Sequence, residues 1–248
     1  MPFTAAHPAA ILPLLRNSRW FSATGLIAGS VAPDFEYFLL LPLFSTSSHS
    51  LEGLLLFNVP VAVVVATIFQ LLIRKPMVAH LPDWLQQRAL AVPELQWMTY
   101  LRTRWITFLF SVIVGAATHL LWDSFTHEAG YFAQKWPVLS YKVSTPWKEM
   151  MICRFLQHGS TVAGGLAILL YISRLKTVPV LKNVSTRNKV WFWAIILLAG
   201  LGFMAFALTV SPIPVSLRGV VVPLLTGCML ATIMASLSVK LSGLIQRS

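Results

Sequence analysis

Three side chains able to ligate a metal, His119, Asp123 and His127, close a long apolar run that begins at Trp105. On an α-helix, positions i, i+4 and i+8 fall within about 80° of one face. Their Cα atoms would span about 12 Å at 1.5 Å per residue, too far for all three to hold one ion on a straight helix. Adjacent pairs can share an ion. The spacing therefore suits one metal with a further ligand position, or two metals bridged by Asp123. Imidazole combined with carboxylate favours zinc or manganese over calcium or magnesium. Ionisable groups at the end of a membrane helix are costly and usually functional.

Other residues of the same types stand at neighbouring helix ends. His49 precedes a clear apolar span, whose start Ser50 and Glu52 suit by capping and by the helix dipole. Gln157 and His158 open a later one. Asp34 and Glu36 follow Pro33 in the middle of the hydrophobic stretch 22–45. Two acids at that depth need a partner, a cavity or an ion, and a broken or re-entrant element would tolerate them. Pro8 fits the first turn of a short N-terminal helix, with His7 before it; taken alone, His7 reads as a terminal or packing histidine. His80 reads as a surface histidine. Glu36, Glu52 and His158 are candidates for a catalytic role, the two glutamates as a general base, for which a structural role is the stronger reading.

The elements that carry these residues follow from composition. The chain has 248 residues, 56% hydrophobic and 11% charged, against about 25% charged in soluble domains. Apolar runs near the length of a bilayer core cover about 53–73, 105–126, 156–173, 190–210 and 220–240. The expectation is an all-α polytopic membrane bundle of five transmembrane helices, with a broken or re-entrant helical region before them. It reads as a single membrane domain over 1–248, with residues 1–173 bearing the motifs. Residues 174–248 supply two apolar wall helices, in which Val190–Val210 and Val220–Val239 hold no ionisable residue. Residues 128–153 read as a polar loop. Gly25-x-x-x-Gly29 has the spacing of a helix-packing motif, which any close pair of helices can use.

The 19 basic residues against 8 acidic ones lie mostly between the apolar runs, as topology signals and headgroup contacts. That excludes nucleic acid as the natural partner and points to membrane lipids. Five basic residues in 74–104 and five in 174–189 place those loops and the C-terminus in the cytoplasm. His49, Asp123, His127 and His158 then share the outer side. Cys153 and Cys228 are far apart and form no CxxC. The oligomeric state is not written in these patterns.

Three stretches resemble a family of uncharacterised bacterial integral-membrane proteins. They are Met1–Ala10, Gly29–Phe35 and Gly115–His127, supported by His49-Ser50 and Gln157-His158-Gly159. At motif level they also resemble bacterial inner-membrane proteins described as membrane-bound metal-dependent hydrolases, which share a Pro-Asp, a His-Ser and a Gly-x-x-x-His-x-x-x-Asp. More distantly, the ligand order is similar to that of the all-α zinc phospholipase C and nuclease group. The resemblance implies His7, Asp34, His49, His119 and Asp123 as ligands, with Asp123 bridging and His127 as a further ligand or a supporting group. The later His-x-x-x-Glu of that group is missing here, so one or two ions are expected rather than three. It also implies a location in the bacterial cytoplasmic membrane.

The expected function is a membrane-embedded metal-dependent hydrolase acting on a phosphoester of a lipid or lipid-linked substrate, with zinc, or else manganese, as the divalent metal. Lys135, Lys142 and Lys148 could hold the phosphate. The alternative is a non-catalytic membrane protein with a structural metal site, or a metal or ion transporter.

Overall fold

The computed structural model describes residues 4–39, 48–144, 149–181, 184–210 and 217–245. Lys148, one of the three lysines considered for phosphate, lies outside them. Among the described residues the regular structure is helical except for one two-stranded hairpin. Five stretches are long and apolar enough to cross a membrane: Leu51–His80, Trp97–Lys135, Ile152–Ser173, Thr186–Val210 and Gly219–Ser242. These are the five expected spans. At most 33% of each one's most apolar window is buried inside the protein. Residues such as Leu56, Phe206 and Met234 are left facing outward. In water such a surface would be a large adhesive patch; in hydrocarbon it is the ordinary lining of a bundle.

The chain forms two compact units. The first takes Met1–Glu36, Pro42–Ala66 and Tyr100–Arg174. The short helix expected around Pro8 runs from Thr4 to Arg16 and is a 3₁₀ helix with Pro8 and Pro13 inside it. Each proline lacks an N–H and crowds the carbonyl four residues back, so the tighter i→i+3 pattern replaces the α-helical one. Helix α1 (Ala23–Val31) starts at Ser22, whose hydroxyl accepts from the Gly25 N–H at 3.1 Å. Pro33 breaks it as expected: Ala32–Asp34 is a 3₁₀ turn, followed by the short helix α2 (Phe35–Phe38).

Helix α3 (Leu51–His80) is capped by Ser50, which accepts from the Gly53 N–H at 2.9 Å. Pro60 cannot donate to the carbonyl of Leu56. The strain is absorbed just upstream in a π turn, Leu54–Asn58, where the Val59 N–H bonds Leu54 five residues back. Helix α4 (Asp83–Ala91) belongs to the second unit. Helix α5 (Trp97–Thr126) bends at Arg104, where φ is −132° and ψ 25°. The Arg104 guanidinium donates to the Arg19 carbonyl at 2.8 Å.

Helices α1 and α5 pack at backbone contact. A Cβ on Gly29 would lie 2.9 Å from the Val112 carbonyl carbon, and one on Gly115 would lie 2.8 Å from the Ser30 nitrogen. The Gly25-x-x-x-Gly29 spacing thus serves an intramolecular helix pair. Phe108, Val112 and Ala116 are buried on the same helix, and the Ser22 N–H donates to Ser111 Oγ at 2.7 Å.

Residues 128–153 are not the polar loop expected. They fold into α6 (Tyr131–Lys135), α7 (Pro137–Ser140) and an antiparallel hairpin, β1 (Lys142–Ser144) with β2 (Glu149–Met151). Ala133, Leu139 and Cys153 form a small core there, with Phe125 stacked on Phe132 at 4.4 Å. The apolar residues scattered among the lysines pay for this cap. Helix α8 (Ile152–Ser173) therefore begins earlier than its hydropathy suggests.

The second unit takes Tyr37–Leu41, Thr67–Thr99 and Leu175–Ser248. Helix α9 (Thr186–Val210) packs on α10 (Leu217–Ile245). Lys189 is buried, and its Nζ donates to Asp83 Oδ1 at 2.6 Å and to Gln86 Oε1 at 2.7 Å. His80 is not a surface residue. It is buried, bonded through Nδ1 to the Pro76 carbonyl at 2.7 Å, and stacked on Phe192 at 4.3 Å.

Candidate metal centre

All six histidine and aspartate positions considered as ligands come together in the first unit. Asp34 ends the 3₁₀ turn forced by Pro33 and is completely buried. His119 and Asp123 are one turn apart on α5, 1% and 6% exposed. His119 Nε2 lies 3.3 Å from Asp123 Oδ2 and 3.6 Å from Asp34 Oδ1. His49 Nε2 lies 3.6 Å from the same Asp123 oxygen and 3.8 Å from Asp34 Oδ1. One ligand atom from each of Asp34, His49, His119 and Asp123 fits within 4.8 Å of the others. These four residues could hold a metal ion.

The other oxygen of Asp123 has its own neighbours. Oδ1 lies 3.6 Å from His7 Nε2 and 3.4 Å from His127 Nδ1. His7 is stacked flat on His119, ring centroids 3.6 Å apart. Burial first, then the neighbouring His119, holds the His7 imidazole down to about 3, so at neutral pH it is an uncharged ring with a lone pair to give. His127 Nδ1 is also 3.2 Å from the Asp123 carbonyl, and its Nε2 is 3.5 Å from Gln157 Nε2.

The tautomer of His119 is set by its surroundings. Its Nδ1 lies 2.8 Å from the Ser30 carbonyl, which can only accept, so Nδ1 carries the hydrogen. In a neutral ring Nε2 is then a lone pair directed at two carboxylates. His7 Nε2, His119 Nε2 and all four carboxylate oxygens of Asp34 and Asp123 are buried without a hydrogen-bond partner among the described residues. Buried polar atoms are almost always satisfied. Six unpartnered atoms around one space, four of them carboxylate oxygens, could hold a divalent cation.

Three candidates fall elsewhere. Glu52 is exposed in the first turn of α3. Glu36 accepts from the Ser48 hydroxyl. His158 is exposed on α8, turned about 100° from Gln157. Gln157, 7% exposed, is the residue of that helix end that reaches the cluster. Sequence reading missed Ser48 and Ser30. The signal for Ser48 was a hydroxyl next to His49; for Ser30, a backbone carbonyl, there was none.

A family model described as a domain of unknown function, DUF4184, matches residues 1–237. The chain belongs to that family. The match takes in every residue of the cluster, so the centre lies within the DUF4184 domain. No curated protein and no solved structure matches the chain.

Proposed function

We infer that this DUF4184 protein is a membrane-embedded metal-dependent hydrolase acting on the phosphoester of a lipid or lipid-linked substrate. The observation that carries the reading is the division of Asp123, Oδ2 towards His49 and His119 and Oδ1 towards His7 and His127. A structural zinc site is closed by four protein ligands, whereas a catalytic one keeps an open position. Asp34, His49, His119 and Asp123 Oδ2 can complete the first kind. The Oδ1 side offers Asp123 and His7, with the partly exposed His127 beside them as a further ligand or a supporting group, and leaves room for solvent or substrate. Two divalent ions would exceed the charge of two carboxylates, which suits a phosphate dianion. Zinc is the first choice and manganese the second.

A divalent ion in such a place polarises a phosphoryl oxygen and lowers the pKa of a water towards about 7. The chain supplies the rest, with the His119 ring fixed by the Ser30 carbonyl. An amphiphilic substrate is favoured by a groove of about 270 Å³. It runs from His7 and Trp122 along Ala163, Gly164 and Ala167 of α8. That part of α8 lies within an apolar span, so an alkyl chain could rest there while its phosphate meets the ions.

The test is phosphate or headgroup release from mixed phospholipid vesicles by the full chain in nanodiscs. Zinc-dependent turnover that chelation abolishes, zinc restores and Asp123→Ala eliminates supports the reading. Absence of turnover by metal-loaded protein on phosphomonoester and phosphodiester lipids alike would leave a structural metal site.

A further inference from the structure

Beyond the ligands themselves, a chain of three groups, His49, Ser48 and Glu36, leads away from the cluster. His49 Nδ1 lies 2.8 Å from Ser48 Oγ, and the Ser48 hydroxyl donates in turn to Glu36 Oε2. Ser48 is 1% exposed. Its carbonyl accepts from Asn58 Nδ2 at 2.8 Å, and Asn58 is itself fully buried in the π turn of α3. Ser50, two residues on, caps α3. The segment carrying His49 is thus tied at both sides of the histidine.

Proton counting gives this chain a direction. A carboxylate has only acceptors, so Ser48 spends its one hydrogen on Glu36. The Ser48 oxygen must then accept, and the donor it faces is His49 Nδ1. That leaves Nε2 as the lone pair, on the edge of the ring that looks towards Asp34 and Asp123. His119 reaches the same tautomer by donating to a backbone carbonyl, and its ring is held by burial. The His49 side chain is 32% exposed, the most open of the four histidines around Asp123.

We propose that Ser48 and Glu36 are positioning residues that fix the tautomer and ring orientation of His49 for a divalent metal ion. The role of Glu36 is thus to act through Ser48 on His49 rather than as a general base. The proposal rests on the metal-centre reading, and a ligating histidine commonly has such a partner, whose loss weakens metal binding about 10–100-fold.

The experiment uses the full chain in detergent, with wild type, Ser48→Ala and Glu36→Gln. Zinc affinity is measured by chelator competition, geometry by the visible absorption of the cobalt-loaded protein, and folding by the thermal midpoint of the metal-free form. The expected result is a 10–100-fold weaker zinc affinity in Ser48→Ala, a smaller loss in Glu36→Gln, whose amide oxygen can still accept from Ser48 but without the charge, and an altered cobalt spectrum in both. The metal-free midpoints stay near that of wild type. Unchanged affinity and spectrum in both variants overturn the proposal. So does a loss of affinity matched by a fall in the metal-free midpoint, which is what a purely structural role gives. A wild-type chain that takes neither ion overturns the metal centre itself, a distinct outcome.

Discussion

His119 Nε2 and Asp123 Oδ2 stand 3.3 Å apart, one helical turn apart on α5, with the Ser30 carbonyl holding the far side of the imidazole at 2.8 Å. With Nδ1–H committed to Ser30, a neutral His119 turns a lone pair towards the carboxylate in a buried space. Asp34 adds a second buried carboxylate. Burying charge without compensation is too costly to leave unpaired, and a shared cation removes the cost.

That relationship depends on how closely α1 approaches α5. Gly115→Val would drive a side chain into the backbone at Leu26 and Ser30. Overpacking of this kind costs about 1–3 kcal/mol or more. The expected outcome is a lower thermal midpoint, together with weaker zinc binding because Ser30 moves away from His119. Thermal unfolding in detergent, with and without zinc, checks both effects.

The two sides of Asp123 separate by mutation. His7→Ala and His127→Ala should each remove an ion from the Oδ1 side and leave the four-residue set filled. His158→Ala, on an exposed position, should leave ion content at the wild-type value. Metal analysis of the three purified variants decides this, and equal ion content in all three would refute the division.

Filling the groove should discriminate between substrates. Ala163→Phe places a ring beside Gly164 and Trp122. Turnover of a long-chain lipid phosphoester should fall at least tenfold, while a short water-soluble phosphoester is cleaved at the wild-type rate. Equal loss on both substrates would show that the groove does not hold the chain.

By the positive-inside rule, the basic residues of 74–104 and 174–189 predict a cytoplasmic C-terminus. A C-terminal reporter active only in the cytoplasm is the expected result. The opposite polarity would move the metal centre to the inner face.

Much of this arrangement was legible in the sequence because period and hydropathy are local properties. The five spans, the break at Pro33 and the i, i+4 pairing of His119 with Asp123 all follow from spacing. Assembling His7, Asp34 and His49 around them required the family-like order as well. What escaped was set by tertiary contact. Residues 128–153 read as a polar loop, yet Lys142–Ser144 pairs with Glu149–Met151 as two antiparallel strands. His80 looked solvated until Phe192 covered it. His158 shared its helix end with Gln157, and only the helical phase, counted from the real start at Ile152, decides which of the two faces the cluster.

The most direct test is element-resolved metal content of the full chain, purified without chelator, beside His119→Ala and Asp123→Ala. A bridged centre predicts about two divalent ions per wild-type chain and almost none in Asp123→Ala. It also predicts a lower thermal midpoint wherever the ions are lost, because an ion that binds only the folded state stabilises it. His119→Ala should lose at least the ion of the four-residue set. A wild-type chain with no stoichiometric metal, or an Asp123→Ala chain with undiminished content, would contradict the assignment.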